Sequence, residues 1–312
     1  MSMLATGVRY TTNLTSMVAR QDGVLAAALV GSQFVASEAA KLPRFARMTL
    51  ASNGVRTAHP PLTSERIVAN LRGLGLEMRP YRIDVPAFHA HLASVRYPKW
   101  YAAGSIDEGG NREEKLLEYF VSLDLLEPRR EDVIIDVASE WSIFPEVVRK
   151  LTGATVYQQD LIYPPGVHGN RIGGSAAHLP IPDEFADMLV LHNAFEHFEG
   201  TADSDFIREA WRVLRPGGVL CILPLFMSER FSVMSDPLMD RRGVTWDAGA
   251  EVVEIPWWHN RFGRLYDAEA LQSRVLAPGA AFDQLVYQVE NPQEVHPSVC
   301  MHFILVLYKP KR

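Results

Sequence analysis

The chain has 312 residues but only two cysteines, Cys221 and Cys300, so it has no disulfide framework. Both stand in apolar runs, as buried reduced thiols do, and a cytoplasmic protein is expected. A basic excess is also missing. The 37 Asp and Glu outnumber the 31 Lys and Arg, for a formal net charge of −6, which argues against a nucleic-acid-binding surface. Long apolar runs are absent as well. The stretch Val24 to Val35 is broken by Gly31, Ser32 and Gln33, and a membrane span needs roughly 20 apolar residues. Met1 to Arg20 holds no continuous apolar core of a secretory signal, so neither a membrane nor an export role is expected. Repeats and low-complexity tracts are lacking too. What remains is an ordinary globular composition, 47% hydrophobic and 22% charged, with length for one large domain or one domain plus a cap.

Residues 1–110 carry helix-like stretches near 21–42 and 62–74, punctuated by Pro60, Pro61, Pro80, Pro86 and Pro98. They contain no catalytic motif and read as a mainly helical cap or interface region. From about residue 111 the pattern alternates. Leu116, Leu117, Phe120, Leu123 and Leu126 recur at helical spacing. Val133–Val137, Thr155–Gln159, Asp187–His192 and Val219–Leu223 read as strands. Helices fall near Pro145–Lys150, Asp203–Leu214 and Asp267–Leu276. The last strands, Phe282–Val289 and Met301–Tyr308, have no room for a helix between them and should pair antiparallel. Such alternation makes a parallel sheet with right-handed crossovers. Ligands bind there beyond the carboxyl ends of the strands, which points to Asp136 and the residues after it.

Three blocks carry a resemblance. Residues 178–199 read HLPIPDEFADMLVLHNAFEHFE, residues 207–223 read IREAWRVLRPGGVLCIL, and Asp160 ends a strand in VYQQDL. In this order and spacing they resemble class I S-adenosylmethionine-dependent methyltransferases of the methyltransferase type 11 group. The resemblance implies an α/β fold with a Rossmann-like, doubly wound, mostly parallel seven-stranded sheet closed by a C-terminal antiparallel hairpin. The domain would span 111–312, with an insertion at 225–266 and the helical cap in front of it. It implies S-adenosylmethionine as cofactor and a small-molecule acceptor as partner; a homodimer stays open. The family's D/E-x-G-x-G-x-G motif is replaced here by DVASEWS, with Ala138, Glu140 and Ser142 at the glycine positions.

By that resemblance Asp136, Ala138, Ser139 and Glu140 would line the methionine end of the cofactor. Asp160 and Leu161 would take the ribose, Ser175 and Ala176 the adenine, and His192 and Asn193 would close the site. A carboxylate such as Asp160 suits two vicinal hydroxyls, though a strand-end acid also suits a turn. His197 beside Glu196 is the candidate general base for O-methylation, since a neutral imidazole can take a hydroxyl proton near pH 7. The bland alternative is that the pair braces the following loop. Some relatives bind a metal ion with an equivalent pair, but Asn193 stands where a further acidic ligand would help, so no metal is expected. Trp257, Trp258, His259, Arg261, Arg264 and Tyr266 crowd the insertion. They would form a substrate lid for a saccharide or natural-product hydroxyl, or a plug on the sheet. The glycine-free motif keeps a second reading open, a non-catalytic scaffold or partner subunit. His89, His91, His296 and His302 lack ligand-like company and read as incidental.

Overall fold

A computed structural model describes residues 60–95, 97, 111–140, 142–256 and 258–311. The helix-like stretch near 21–42, Pro98 and Trp257 lie outside them. The described residues open with α1 (Glu65–Gly73), β1 (Glu77–Tyr81), α2 (Val85–Val95) and α3 (Asn111–Leu126). Next come β2 (Val133–Val137), α4 (Phe144–Thr152), β3 (Thr155–Asp160), β4 (Gly166–His168) and β5 (Arg171–Gly173). They are followed by β6 (Ala186–His192), a single 3₁₀ turn at Phe195–His197, α5 (Ala202–Val213) and β7 (Leu214–Leu223). The remainder comprises β8 (Ser232–Ser235), β9 (Glu251–Glu254), β10 (Gly263–Leu265), α6 (Ala268–Leu271), β11 (Asp283–Val289), α7 (Pro292–Val295) and β12 (Phe303–Tyr308). A π turn over Gln272–Leu276 extends α6.

The main sheet runs β1-β11-β12-β7-β6-β2-β3-β5-β4. Its centre is parallel, with β2 between β3 and β6, and β11 pairs antiparallel with β12 and β12 with β7. The alternation of buried residues explains why both faces are covered. Ile135, Leu189, Leu220 and Leu305 join one core with Ile207 and Ala210 of α5 and Ile67 and Leu71 of α1. Ile134, Val190, Cys221 and Val306 join the other with Leu116 and Leu117 of α3 and Phe144 of α4. Each strand thus sends successive side chains to opposite layers. Pro145 in the first turn of α4, and Gly153 after it at φ +77°, set the ends of that helix.

The α/β expectation holds, and three of its details change. The described part of the N-terminal region adds a strand to its two helices. Glu77–Tyr81 is an edge strand parallel to β11, with Pro80 at a place where no ladder bond is required on the open side. The sheet has nine strands among the described residues rather than seven: β1 and the β4–β5 hairpin join the six strands read from the sequence. The closing hairpin does contain a helix, the one-turn α7 between its strands. The 225–266 insertion is a folded unit: β8, β9 and β10 form a second, three-stranded sheet.

Candidate active site

At the carboxyl end of β2 the chain must leave the sheet in a tight loop. It does so with Ala138 at φ 51° and Glu140 at φ 41°. Glycine adopts this left-handed region freely, while any other L-residue pays on the order of 1 kcal/mol. The loop therefore keeps a glycine-type backbone without glycine. Hydrogen bonds to the end of β3 hold it. The amide of Ala138 donates to Gln159 Oε1 (3.1 Å), that of Ser139 to the Gln159 carbonyl (2.9 Å), and that of Glu140 to Asp160 Oδ2 (2.7 Å). The Ser142 amide donates to the Ser139 carbonyl at 2.6 Å. Asp160 Oδ1 also accepts from the Ile162 amide at 3.1 Å, so this carboxylate organises two turns and keeps a further lone pair on each oxygen.

Asp136, buried in the strand, lies with Oδ1 3.2 Å from Nδ1 of His192, the last residue of β6. His192 Nε2 is 3.0 Å from the Ser122 hydroxyl of α3. Burial lowers the imidazole below its ordinary value despite the upward pull of Asp136, so His192 is neutral. Asp136 Oδ2 is buried and has no hydrogen-bond partner. Asp136 and His192 are thus partners of each other as well as candidate site residues.

The sequence reading of α3 counted its leucines and missed its polar face. Glu114, Glu118 and Ser122 recur one turn apart, with Lys115 and Tyr119 beside them, and all but Lys115 are buried. That recurrence was the available signal. Glu114 Oε2 accepts from the Cys300 amide at 2.6 Å, and its other oxygen has no partner. Burial pushes the Glu114 carboxyl up to about 7 and Glu118 well above the usual range. Lys115 donates to the His192 carbonyl and lies 3.3 Å from Glu118 Oε2.

The 3₁₀ turn after β6 brings in the candidate base. His197 Nδ1 is 2.6 Å from the Phe262 carbonyl, which can only accept, so Nδ1 carries a proton. Nε2 lies 3.5 Å from Glu196 Oε1. Glu196 is 3% exposed, and its Oε2 is without a partner. Although Glu140 lies at the surface, the protein crowded around its carboxyl pushes it above the usual range first and the charge of Asp160 second; Lys115 and His197 pull the other way. The loop after β2, α3 and the 3₁₀ turn therefore act on one region at the strand tips.

The insertion reaches this region from the side. The Trp258 ring lies 5.9 Å from the His197 ring, and Gly263 makes room for it. A Cβ on Gly263 would stand 2.3 Å from Trp258 Cη2. Arg264 and Tyr266 are corrections to the expected substrate wall. Arg264 is 0% exposed, bonded to Asp247 and Asp203 and to the carbonyls of Phe198 and Gly200. The Tyr266 hydroxyl donates to Asp203 Oδ2 at 2.9 Å in the same buried network. Neither has a donor or a face left for substrate. Arg261 is exposed and paired with Glu199 at 2.6 Å, and His259 is exposed. Among the other expected contacts, Leu161 is 75% exposed, whereas Ala176 packs into the core. The Ser175 hydroxyl accepts from the Ala177 amide, and Asn193 adopts φ 48° with its amide on the Leu223 carbonyl.

The residues suit an adenosyl cofactor with a cationic amino-acid tail. The rim is rich in carboxylate acceptors, some buried and unpartnered, whereas S-adenosylmethionine presents an ammonium, a sulfonium and two ribose hydroxyls. Among the described residues, no group of three or more His, Cys, Asp or Glu could hold a metal ion, and no helix is long and apolar enough to cross a membrane.

Residues 150–222, from the end of α4 through β7, match the family model described as a methyltransferase domain. Solved structures similar to this chain include the 1,6-didemethyltoxoflavin-N1-methyltransferase of Burkholderia thailandensis with bound 1,6-didemethyltoxoflavin and S-adenosylhomocysteine. It is 13% identical, covers 82% of this chain and 94% of its own, and gives a TM-score of 0.45. A SAM-dependent methyltransferase from Methanosarcina mazei is 15% identical over 61% of this chain and 98% of its own, with a TM-score of 0.41. A protein from Pyrococcus horikoshii is 17% identical over 70% and 99%, with a TM-score of 0.44. No curated protein matches the chain.

Proposed function

We propose that the protein methylates a small molecule, at a hydroxyl presented to His197 beside Glu196. The observation that carries this reading is the fixed tautomer of His197. The Phe262 carbonyl holds the proton on Nδ1, which leaves the half-buried Nε2 at the rim to accept one from an acceptor. When bound, S-adenosylmethionine supplies an electrophilic methyl group on a sulfonium. Asp160 is the acceptor for ribose hydroxyls, through the lone pairs its two amide bonds leave over. Asp136 Oδ2 and Glu196 Oε2, each buried without a donor, are the acceptors for cationic or hydrogen-bonding groups of the ligands. His197 removes the hydroxyl proton as the acceptor oxygen attacks, and Glu196 favours the imidazolium that results. A saccharide or natural-product hydroxyl suits Trp258 beside His197, with His259 and Arg261 following it in the chain and exposed.

The test is His197→Ala in a methyl-transfer assay over a hydroxyl-bearing acceptor panel, with S-adenosylhomocysteine affinity measured alongside. Lost turnover with retained affinity supports the reading, and unchanged turnover removes the base. One observation favours a second reading, a non-catalytic scaffold: the described loop amides of Ala138, Ser139, Glu140 and Ser142 are all engaged within the protein. Absence of binding by either S-adenosylmethionine or S-adenosylhomocysteine would select it.

A further inference from the structure

The engaged loop raises a question of charge. An amino-acid tail carries a carboxylate as well as an ammonium, and the rim that would receive it is itself acidic, with Asp136, Glu140, Asp160 and Glu196. A carboxylate entering there needs a cation or free N–H groups, and the amides of Ala138, Ser139, Glu140 and Ser142 have other partners.

Lys115 of α3 meets the need. Its ammonium donates to the carbonyl of His192, which ends β6 and whose ring reaches Asp136 of β2, so the cation is fixed at the strand tips. Its neighbour one turn on, Glu118, is 0% exposed and accepts no hydrogen bond on either oxygen; Lys115 at 3.3 Å is the ion-pair partner it has. A buried carboxylate with so little support is a poor source of stability. It makes sense as an anchor for a lysine whose own side chain remains 22% exposed. An ammonium has three hydrogens, of which the His192 carbonyl takes one and the ion pair with Glu118 occupies at most one more. Asp136, which the His192 ring meets, is two residues before Ala138 in the chain, so the bond to the His192 carbonyl sets Lys115 near the start of the loop.

We propose that Lys115, anchored by Glu118, binds the carboxylate of the cofactor's methionine end, in place of the amides of the loop after β2. This rests on the cofactor reading above and adds to it a residue outside the matched segment 150–222. It also explains how a loop without glycine, closed onto β3, remains compatible with an amino-acid tail.

The test is calorimetric and needs no acceptor. Three probes are titrated into the full chain: S-adenosylhomocysteine, its decarboxylated form S-adenosyl-3-thiopropylamine, and 5′-methylthioadenosine, which lacks the amino-acid tail. The wild type should bind S-adenosylhomocysteine about tenfold or more tighter than the decarboxylated form, the scale of a charge-assisted hydrogen bond. Lys115→Met should erase that preference and leave 5′-methylthioadenosine affinity within about twofold. Lys115→Arg should keep most of it. Lys115→Gln, which retains a polar group beside Glu118, serves if the methionine variant does not fold. A preference that survives Lys115→Met or Lys115→Gln overturns the proposal, as does a wild type that binds all three probes without preference; in both cases the cofactor reading stands. A wild type that binds none of the probes overturns both.

Discussion

The insertion and the strand tips both bury charge, and they do so in opposite ways. Around Arg264 the account is complete. Its guanidinium meets Asp203, Asp247 and two carbonyls, Arg274 joins Asp203 from the other side, and Tyr266 donates to the same carboxylate. Around α3 it is not. Glu114, Glu118, Asp136 and Glu196 all have buried oxygens without a donor. The first arrangement pins a three-stranded unit against the 3₁₀ turn and so fixes the Phe262 carbonyl that orients His197. The second leaves buried acceptors unpaired among the described residues. Buried polar groups that satisfy one another build structure, while those that do not call for a partner such as water, an ion or a ligand.

The contrast can be broken at its satisfied end first. Arg264→Ala should remove about 3–5 kcal/mol of stability, because it leaves two buried carboxylates, Asp203 and Asp247, to the single guanidinium of Arg274, and urea unfolding would measure it. A loss below 1 kcal/mol would mean the network is ornamental. At the other end, His197→Ala should cost about 10²–10⁴ in turnover, the usual worth of a general base, with little change in melting temperature.

Next comes pH. Folding raises the Glu114 carboxyl from 4.5 to about 7, so the folded state holds this proton more tightly than the unfolded chain does. Its contribution to stability is full below pH 4.5 and is lost as pH rises to about 7. At about 1.4 kcal/mol per pH unit the loss reaches about 3 kcal/mol at most. Glu114→Gln should flatten that part of the stability profile, and an unchanged slope would assign it elsewhere. Asp160→Asn should weaken S-adenosylhomocysteine by about tenfold, since an amide accepts on one atom where a carboxylate accepts on two. Equal affinity in calorimetry would remove Asp160 from the ribose site. The smallest effect belongs to the loop backbone. Ala138→Gly should stabilise by about 0.5 kcal/mol, the relief at φ 51° exceeding the entropy glycine adds to the unfolded chain. A destabilised variant would mean that Ala138 packs better than its backbone suffers.

The parts of this molecule legible in the sequence are those where one periodicity decides. VIIDV in β2 and the run ending at His192 in β6 are buried on both faces, and a continuous apolar run says so. Glu77–Tyr81 is a strand that its sequence hides. Two of its five residues are charged and one is proline, and it exists because β11 offers an edge. In the candidate site, Asp160 and His197 stand at strand ends where a motif can point to them. Glu114, Lys115 and Glu118 do not, because a buried polar stripe on an amphipathic helix looks like its solvent face until the packing is known. Arg264 and Tyr266 fail the opposite way. Their residue types suit a binding wall, and only the geometry reveals that Asp203 and Asp247 have already taken them.

The central claim is that the tips of β2, β3 and β6 frame a site for an adenosyl cofactor. Titrating the wild-type chain with S-adenosylhomocysteine tests it most directly. The account expects saturable binding at one site per chain, weakened by Asp160→Asn; no detectable binding, or binding indifferent to that substitution, would contradict it.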